Sequence, residues 1–222
     1  GDPRQGEDSE FSKSWIQGVD LSDPVKREWW EKRKPKCNWY LTADTAWSKK
    51  GTADKTAICT TAWDEYYNCY VMPPKSGRWG VAETWDKIVE QRNVYPQIRR
   101  YGIEDGATKA ALDDVLTREN KLRGWNIRFE GLSIKGGNEA LIRAFFMLMA
   151  RGEVYFVGNP EEFKELIDEL KSFPNGVHDD IAVSLAHSVQ LARPAASTKP
   201  KGPEVGTGGH LLDLMMKRAK DG

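Results

Sequence analysis

The sequence is poor in the features that would mark a disulfide scaffold, a membrane protein or a polycation. Its 222 residues hold three cysteines, Cys37, Cys59 and Cys69, with no C-x-x-C pair. An odd number of this kind argues against a disulfide framework and for a reducing compartment. Cys59 and Cys69 fall in consecutive strand-like runs and read as small buried apolar residues. No apolar run reaches the roughly 18 residues of a membrane span, and no signal-peptide pattern opens the chain. Net charge is missing as well, because 33 basic residues offset 33 acidic ones. Any contact with nucleic acid must therefore use local clusters rather than a global field. Such clusters occur at Lys32-Arg33-Lys34 with Lys36, at Lys49-Lys50, at Arg99-Arg100, and at Arg118 with Lys121 and Arg123. Each taken singly reads as a solvated face. There is no G-x-x-x-x-G-K-[ST] phosphate loop, since Lys55-Thr56 lacks both glycines that motif requires.

What is present is organised around residues 39–46, a strand-like run that ends in the carboxylate Asp44. A polar turn over 49–56 follows, and then a second strand-like run over 57–62. An acid inside a half-buried strand costs free energy unless it is paired or binds a cation. Asp44 thus reads as the first ligand of a divalent-metal site, with a turn or cap residue as the plain alternative.

Along the chain, polar residues 1 to about 10 are expected to be disordered. Residues 11–36 mix Phe11, Trp15, Trp29 and Trp30 with charge and read as a short helical linker, its aromatics docking on the main domain or on a missing one. A third strand over 66–72 forms a hairpin with the second through Trp63-Asp64-Glu65 and stops at Pro73-Pro74. Residues 76–80 read as a loop, and 81 to about 97 as a helix. A fourth strand covers 99–104, a helix 107–121 closed by Gly124, and a fifth strand 126–134. Helices over 138–150 and 160–171 flank a short extra strand at 153–157, and a last core helix runs from 178 to about 191. Residues 193–209 have linker composition, and 210–220 form a short amphipathic basic helix. The expected domains are a tail and linker over 1–36, a core over 37–193 and a tail over 194–222. Three strands joined by short turns, followed by alternating helices and strands, indicate an α/β mixed sheet with helices on its faces.

Three acidic positions stand out by location. Asp44 ends the first strand, Glu104 with Asp105 ends the fourth, and Asp179-Asp180 opens the last helix. Strand ends and adjacent helix N-termini are where functional side chains concentrate in such sheets. If the first and fourth strands are neighbours and the last helix crosses their ends, all these carboxylates converge. Oxygen-only ligands, with no histidine or cysteine cluster, favour Mg2+ or Mn2+ over zinc. The plain alternative for Glu104-Asp105 is a helix entry, and for Asp179-Asp180 a pair of acids satisfying a helix dipole.

Thr42-Ala43-Asp44-Thr45-Ala46, then 51–56, then Gly102-Ile103-Glu104-Asp105, then Phe173-Pro174-Asn175-Gly176-Val177-His178-Asp179-Asp180-Ile181 together resemble the C-terminal nuclease domain of the large terminase subunit of tailed bacteriophages. The likeness also takes in 135–157, where a lysine-started helix ends in Arg-Gly-Glu-Val-Tyr-Phe. It implies a ribonuclease H-like fold with a mixed five-stranded sheet, three antiparallel strands followed by parallel ones, flanked by helices. It implies an endonuclease that cuts concatemeric double-stranded DNA during packaging with two divalent cations, Mg2+ or Mn2+. On that likeness Asp44 bridges both ions, Glu104 is the ligand of the fourth strand, and Asp179 with its neighbour Asp180 supplies the last helix's ligand. Asp54 corresponds to an auxiliary acid, with a hairpin-turn role as its plain alternative. The family pattern has a further aspartate three positions after the Asp-Asp pair, where this chain has Val183, so either Asp179 or Asp180 can be the direct ligand.

Around that centre, Asp105 and His178 are auxiliary candidates; His178 serves as a general acid or phosphate contact, or only as a helix-entry residue. Lys49, Lys50, Arg78 and Lys135 are candidate DNA contacts. The family's ATPase motor has no counterpart here, so the sequence corresponds to a nuclease portion or to a protein whose motor is a separate chain. The implied partners are double-stranded DNA, that ATPase domain, the portal protein and the small terminase subunit, in the cytoplasm of an infected bacterial host. Two other readings compete: a Holliday-junction resolvase or ribonuclease H with the same chemistry, and a non-catalytic docking module whose tail helix (211–216) binds the portal or small subunit.

Overall fold

The computed structural model of the protein describes residues 9–45, 55–133 and 136–192. In chain order these form β1 (Gln17–Val19), α1 (Pro24–Arg33), β2 (Asn38–Asp44), β3 (Thr56–Trp63), β4 (Cys69–Val71), β5 (Lys75–Gly77), α2 (Val81–Val94) and β6 (Ile98–Glu104). Then come α3 (Ala107–Arg123), β7 (Phe129–Leu132), α4 (Gly137–Ala150), β8 (Val154–Val157), α5 (Lys164–Ser172) and α6 (Asp180–Ala192). The tail helix expected at 210–220 lies outside the described residues, and among those described no helix is long and apolar enough to cross a membrane.

The five expected strands lie side by side in the order β4-β3-β2-β6-β7. β3 runs antiparallel to both β2 and β4, whereas β6 runs parallel to both β2 and β7. This is the mixed sheet of a ribonuclease H-like fold. Three short strands widen it: β8 pairs parallel with β4, β1 pairs parallel with β8, and β5 pairs antiparallel with the first half of β3.

Two of these additions differ from the sequence reading. Residues 75–77, of which 76 and 77 belong to the expected loop, are a strand, because the early part of β3 extends beyond β4 and leaves its edge open for pairing. Residues 11–36 are more than a linker. Phe11, Val19 and Trp30 are buried in the core, and Gln17–Val19 supplies a strand. The aromatics dock on this domain: Phe11 and Trp15 contact Phe146, while Trp30 contacts Trp39 and Tyr70. The third strand also begins later than expected, at Cys69. Asp64 Oδ1 accepts the N–H groups of Tyr66 and Asn68, and that side-chain turn holds residues 64–68 out of the ladder.

Strand alternation divides the core. On β2, Trp39, Leu41 and Ala43 join the apolar cluster built with α1, α2 and α3. Tyr40 joins the opposite cluster, built with α4, α5 and α6. With a period of two, Thr42 and Asp44 share the face of Tyr40. On β6, Tyr101 and Ile103 belong to the first face, which leaves Gly102 and Glu104 on the face of α6.

Helix α6 is buried at every position from Asp180 to Ser188, as expected for a helix covered by the sheet beneath and by α4 and α5 beside it. Polar contacts fix its seat. Thr42 Oγ1 donates to the carbonyl of Ser184 at 2.6 Å, and Ser184 Oγ donates back to the carbonyl of Thr42 at 3.1 Å. At the far end, Arg100 donates to the carbonyl of Leu191 at 2.6 Å while forming a two-pronged pair with Glu130. Gly102 makes this approach possible. A Cβ there would lie 2.6 Å from Leu132 Cδ1 and 2.9 Å from Leu191 Cδ1. A Gly102→Val substitution is therefore expected to destabilise the domain by about 1–3 kcal/mol through overpacking. Urea unfolding reads this directly, and an unchanged midpoint would mean that α6 does not sit so close to β6.

Candidate active site

The register of the central strands sets the geometry. β2 and β6 pair Ala43 with Ile103, so the next residues, Asp44 and Glu104, end neighbouring parallel strands on the same face. Neighbouring strands are about 4.8 Å apart. Asp44 lies opposite Ala57 on β3, and Ala57 lies opposite Ser76 on β5, which gives one row across the sheet. The start of α6 arrives over this row. Asp179 stands immediately before the helix and its carbonyl accepts the N–H of Val183 at 2.8 Å, while Asp180 is the first helical residue and is buried.

The electrostatics record the convergence. Burial is the largest cause raising the Asp44 carboxyl, to about 8, followed by the charge of Glu104 and then that of Asp180. A hydrogen bond with Glu104 and the charge of Asp179 push in the same direction. Three carboxyls from two other segments thus bear on Asp44, that of Asp180 ahead of that of Asp179. A divalent cation would reverse this repulsion, and a set of carboxylate oxygens is the donor chemistry of Mg2+ or Mn2+. Among the described residues, no group of three or more His, Cys, Asp or Glu side chains is placed to hold a metal ion. The donors fit such an ion in kind, as carboxylate oxygens, and not in a preset coordination shell.

The remaining candidates divide into three groups. His178 is close by, with Nδ1 3.9 Å from Asp180 Oδ2, beyond hydrogen-bonding distance. Asp105 lies over β7: a Cβ on Gly131 would collide with its carboxylate, and its N–H donates to the carbonyl of Leu132. Arg78 follows β5 and is exposed, beside Trp79, whose ring packs on Gly77. Lys49, Lys50, Asp54 and Lys135 lie outside the described residues.

Two acids of α5 enter the site's surroundings without having been singled out from the sequence. Glu165 accepts from Lys55 Nζ and, at 2.6 Å, from Ser76 Oγ, which fastens the start of β3 and the strand β5 to the helix. Glu169 is buried, and its Oε2 accepts the N–H groups of both Ile181 and Ala182 at 2.9 Å. Burial first, and the charge of Asp180 as well, raise its carboxyl to about 7 against the pull of those two bonds. The signal was legible in principle: Glu169 stands three residues after Leu166 and beside Leu170, on the apolar stripe where an acid needs a partner. Two other reactive types are inert. Burial pushes the Cys59 thiol up to about 12 and the His187 imidazole down to about 4, so neither is a thiolate nor a charged histidine at neutral pH.

Comparison with solved structures finds the same fold. The large terminase of a thermophilic bacteriophage, in complex with ADP, superposes with a TM-score of 0.58 at 10% identity, over 82% of this chain and 43% of that one. A second crystal form of the same phage protein gives 0.56 at 11% identity, over the same shares of the two chains. The human cytomegalovirus terminase nuclease domain, manganese-soaked and inhibitor-bound, gives 0.51 at 12% identity, over 72% of this chain and 86% of that one. At these identities the likeness is one of fold. No protein-family profile and no curated protein sequence matches the chain.

The raised Asp44 carboxyl has a measurable consequence in metal-free protein. An acid whose folded pKa lies above its unfolded value contributes stability at low pH that is lost as pH rises, here from about 4 to about 8. In chelator, Asp44→Asn should gain stability relative to wild type between pH 5 and pH 8. Thermal or urea unfolding at both pH values checks this, and a constant offset between the two proteins would contradict a buried, mutually repelled carboxyl.

Proposed function

We propose that this chain is the nuclease domain of a large terminase subunit, an endonuclease that hydrolyses double-stranded viral DNA during genome packaging with two divalent cations, Mg2+ or Mn2+. The observation that carries the reading is the pressure on Asp44. Glu104, Asp180 and Asp179, the last two distant from Asp44 and Glu104 in sequence, all bear on its carboxyl at one end of a ribonuclease H-like sheet. Such a cluster costs the fold free energy, and binding cations is the use that repays it. In this reading Asp44 and Glu104 would hold the ions, and Asp179 and Asp180 together would supply the ligand of α6. When bound, the ions would supply an activated water and neutralise charge at the scissile phosphate.

The chain's own residues orient that chemistry. Asp44 and Glu104 are carried on strands, which fixes their separation. His178, partly exposed beside Asp180, is suited to bonding a phosphate oxygen or protonating the leaving oxygen. Arg78 would meet the DNA backbone, with Lys49, Lys50 and Lys135 completing a basic rim, Asp54 serving as an auxiliary acid and Asp105 as an outer one. Contacts of this type make binding fall steeply with salt. The thermophilic-phage terminase extends well beyond the 43% of its length matched here. We place this domain beside an ATPase motor, with the portal and small terminase subunit as further partners, in the cytoplasm of the infected host.

The test is cleavage of supercoiled plasmid with Mn2+, Mg2+ or EDTA, by wild type and by Asp44→Asn checked for folding. Nicking and linearisation that depend on metal and fall to background in the variant are expected. Cleavage that survives in the folded variant would remove Asp44 from the site. Faster cutting of a four-way junction or an RNA–DNA hybrid than of linear duplex would replace the terminase reading with a resolvase or ribonuclease H. No cleavage with any metal, together with no metal-induced stabilisation, would leave a docking module.

A further inference from the structure

The most informative group outside the carboxylate cluster is Glu169. A helix leaves its first four N–H groups without partners inside the helix, and the residue before it normally takes one or two of them with its own side chain. For α6 that residue is Asp179, and the donors an N-cap carboxylate takes are the N–H groups two and three positions on, those of Ile181 and Ala182. Here both are held by Glu169 Oε2, from another helix, at 2.9 Å. The next amide, Val183 N–H, makes the first bond within the helix, to the backbone carbonyl of Asp179 at 2.8 Å. Glu169 is 7% exposed, and its Oε1 is buried with no hydrogen-bond partner among the described residues. A buried carboxylate with one oxygen unsatisfied is costly, so the bonds to α6 must offset that cost or the residue must serve a role.

We propose that Glu169 is a positioning residue: it caps α6 from α5, through the amides of Ile181 and Ala182, and so sets where the Asp179-Asp180 step enters the carboxylate cluster. Because the two amides that follow this step are held from another helix, the place of the Asp179-Asp180 step depends on how α5 packs against α6. Part of this inference rests on the nuclease reading, because the consequence for metal binding presupposes that Asp179 or Asp180 is a ligand.

The experiment separates the two. Wild type, Glu169→Ala, Glu169→Asp and Glu169→Gln are compared by amide hydrogen exchange without metal and by the Mn2+ concentration giving half-maximal plasmid nicking. In Glu169→Ala the amides of Ile181 and Ala182 should exchange about tenfold faster or more, relative to those of 184–188. The Mn2+ midpoint should rise about 10- to 100-fold, the range seen when a partner that orients a ligand is lost. Glu169→Gln keeps an acceptor of the same reach and should stay within about twofold of wild type on both readings. A folded Glu169→Ala with an unchanged midpoint overturns the proposal, as does a Gln variant as impaired as the Ala variant, which would assign the effect to charge rather than to the cap. If Glu169→Ala does not fold, Glu169→Asp decides, since one methylene less withdraws the acceptor from both amides. A wild type that neither binds Mn2+ nor nicks DNA refutes the nuclease reading. In that case exchange alone judges the cap, and unchanged protection of 181 and 182 refutes it.

Discussion

Carboxylates gathered at one end of a sheet repel each other, and here they are held together by the seating of a single helix. Two reciprocal bonds between Thr42 and Ser184 fasten α6 to the strand that carries Asp44. Cys59 Sγ donates to the carbonyl of Ile181 from the next strand. The missing side chain at Gly102 lets the far end of the helix descend onto β6. Arg100 then holds the carbonyl of Leu191, in the last turn, where a cation suits the helix dipole. These contacts are short-range and directional, so the position of Asp180 relative to Asp44 is fixed by packing, against the electrostatics.

The opposing face of the sheet supports this indirectly. Trp39, Leu41 and Ala43 alternate with the site-facing residues of β2, and their burial against α1, α2 and α3 prevents the strand from slipping by one position. A slip of that kind would turn Asp44 into the core. The aromatic cluster of Trp30, Trp39, Tyr70 and Tyr155 gives the same face further area to bury. Residues 11–36 are therefore part of what keeps the register, which is why they are built into the domain instead of tethered to it.

The site's surroundings combine opposite demands. Its centre is acidic and costly to hold closed, whereas the rim contributed by β3 and β5 carries Lys55, Lys75 and Arg78. Glu165 ties Lys55 and Ser76 to α5, and Glu169 ties α5 to α6. One helix thereby links the basic rim with the carboxylates of α6.

Much of this was written in local patterns. The five central strands, the helix closed by Gly124 in its left-handed conformation, and the acids at 44, 104 and 179–180 follow from period, turn chemistry and placement. These are properties of neighbouring residues, and sequence records them directly. The strands β1 and β5 were not legible, since a three-residue strand has too few positions to display a period and exists only because a neighbour offers a free edge. Nor was the strength of Asp180's action on Asp44 beyond that of Asp179, which depends on how α6 rotates over the sheet. The role of Glu169 was hidden for the same reason. Its acidity and its place on an apolar stripe are in the sequence, but the amides it holds are 12 and 13 residues away and come within reach only when α5 packs against the start of α6.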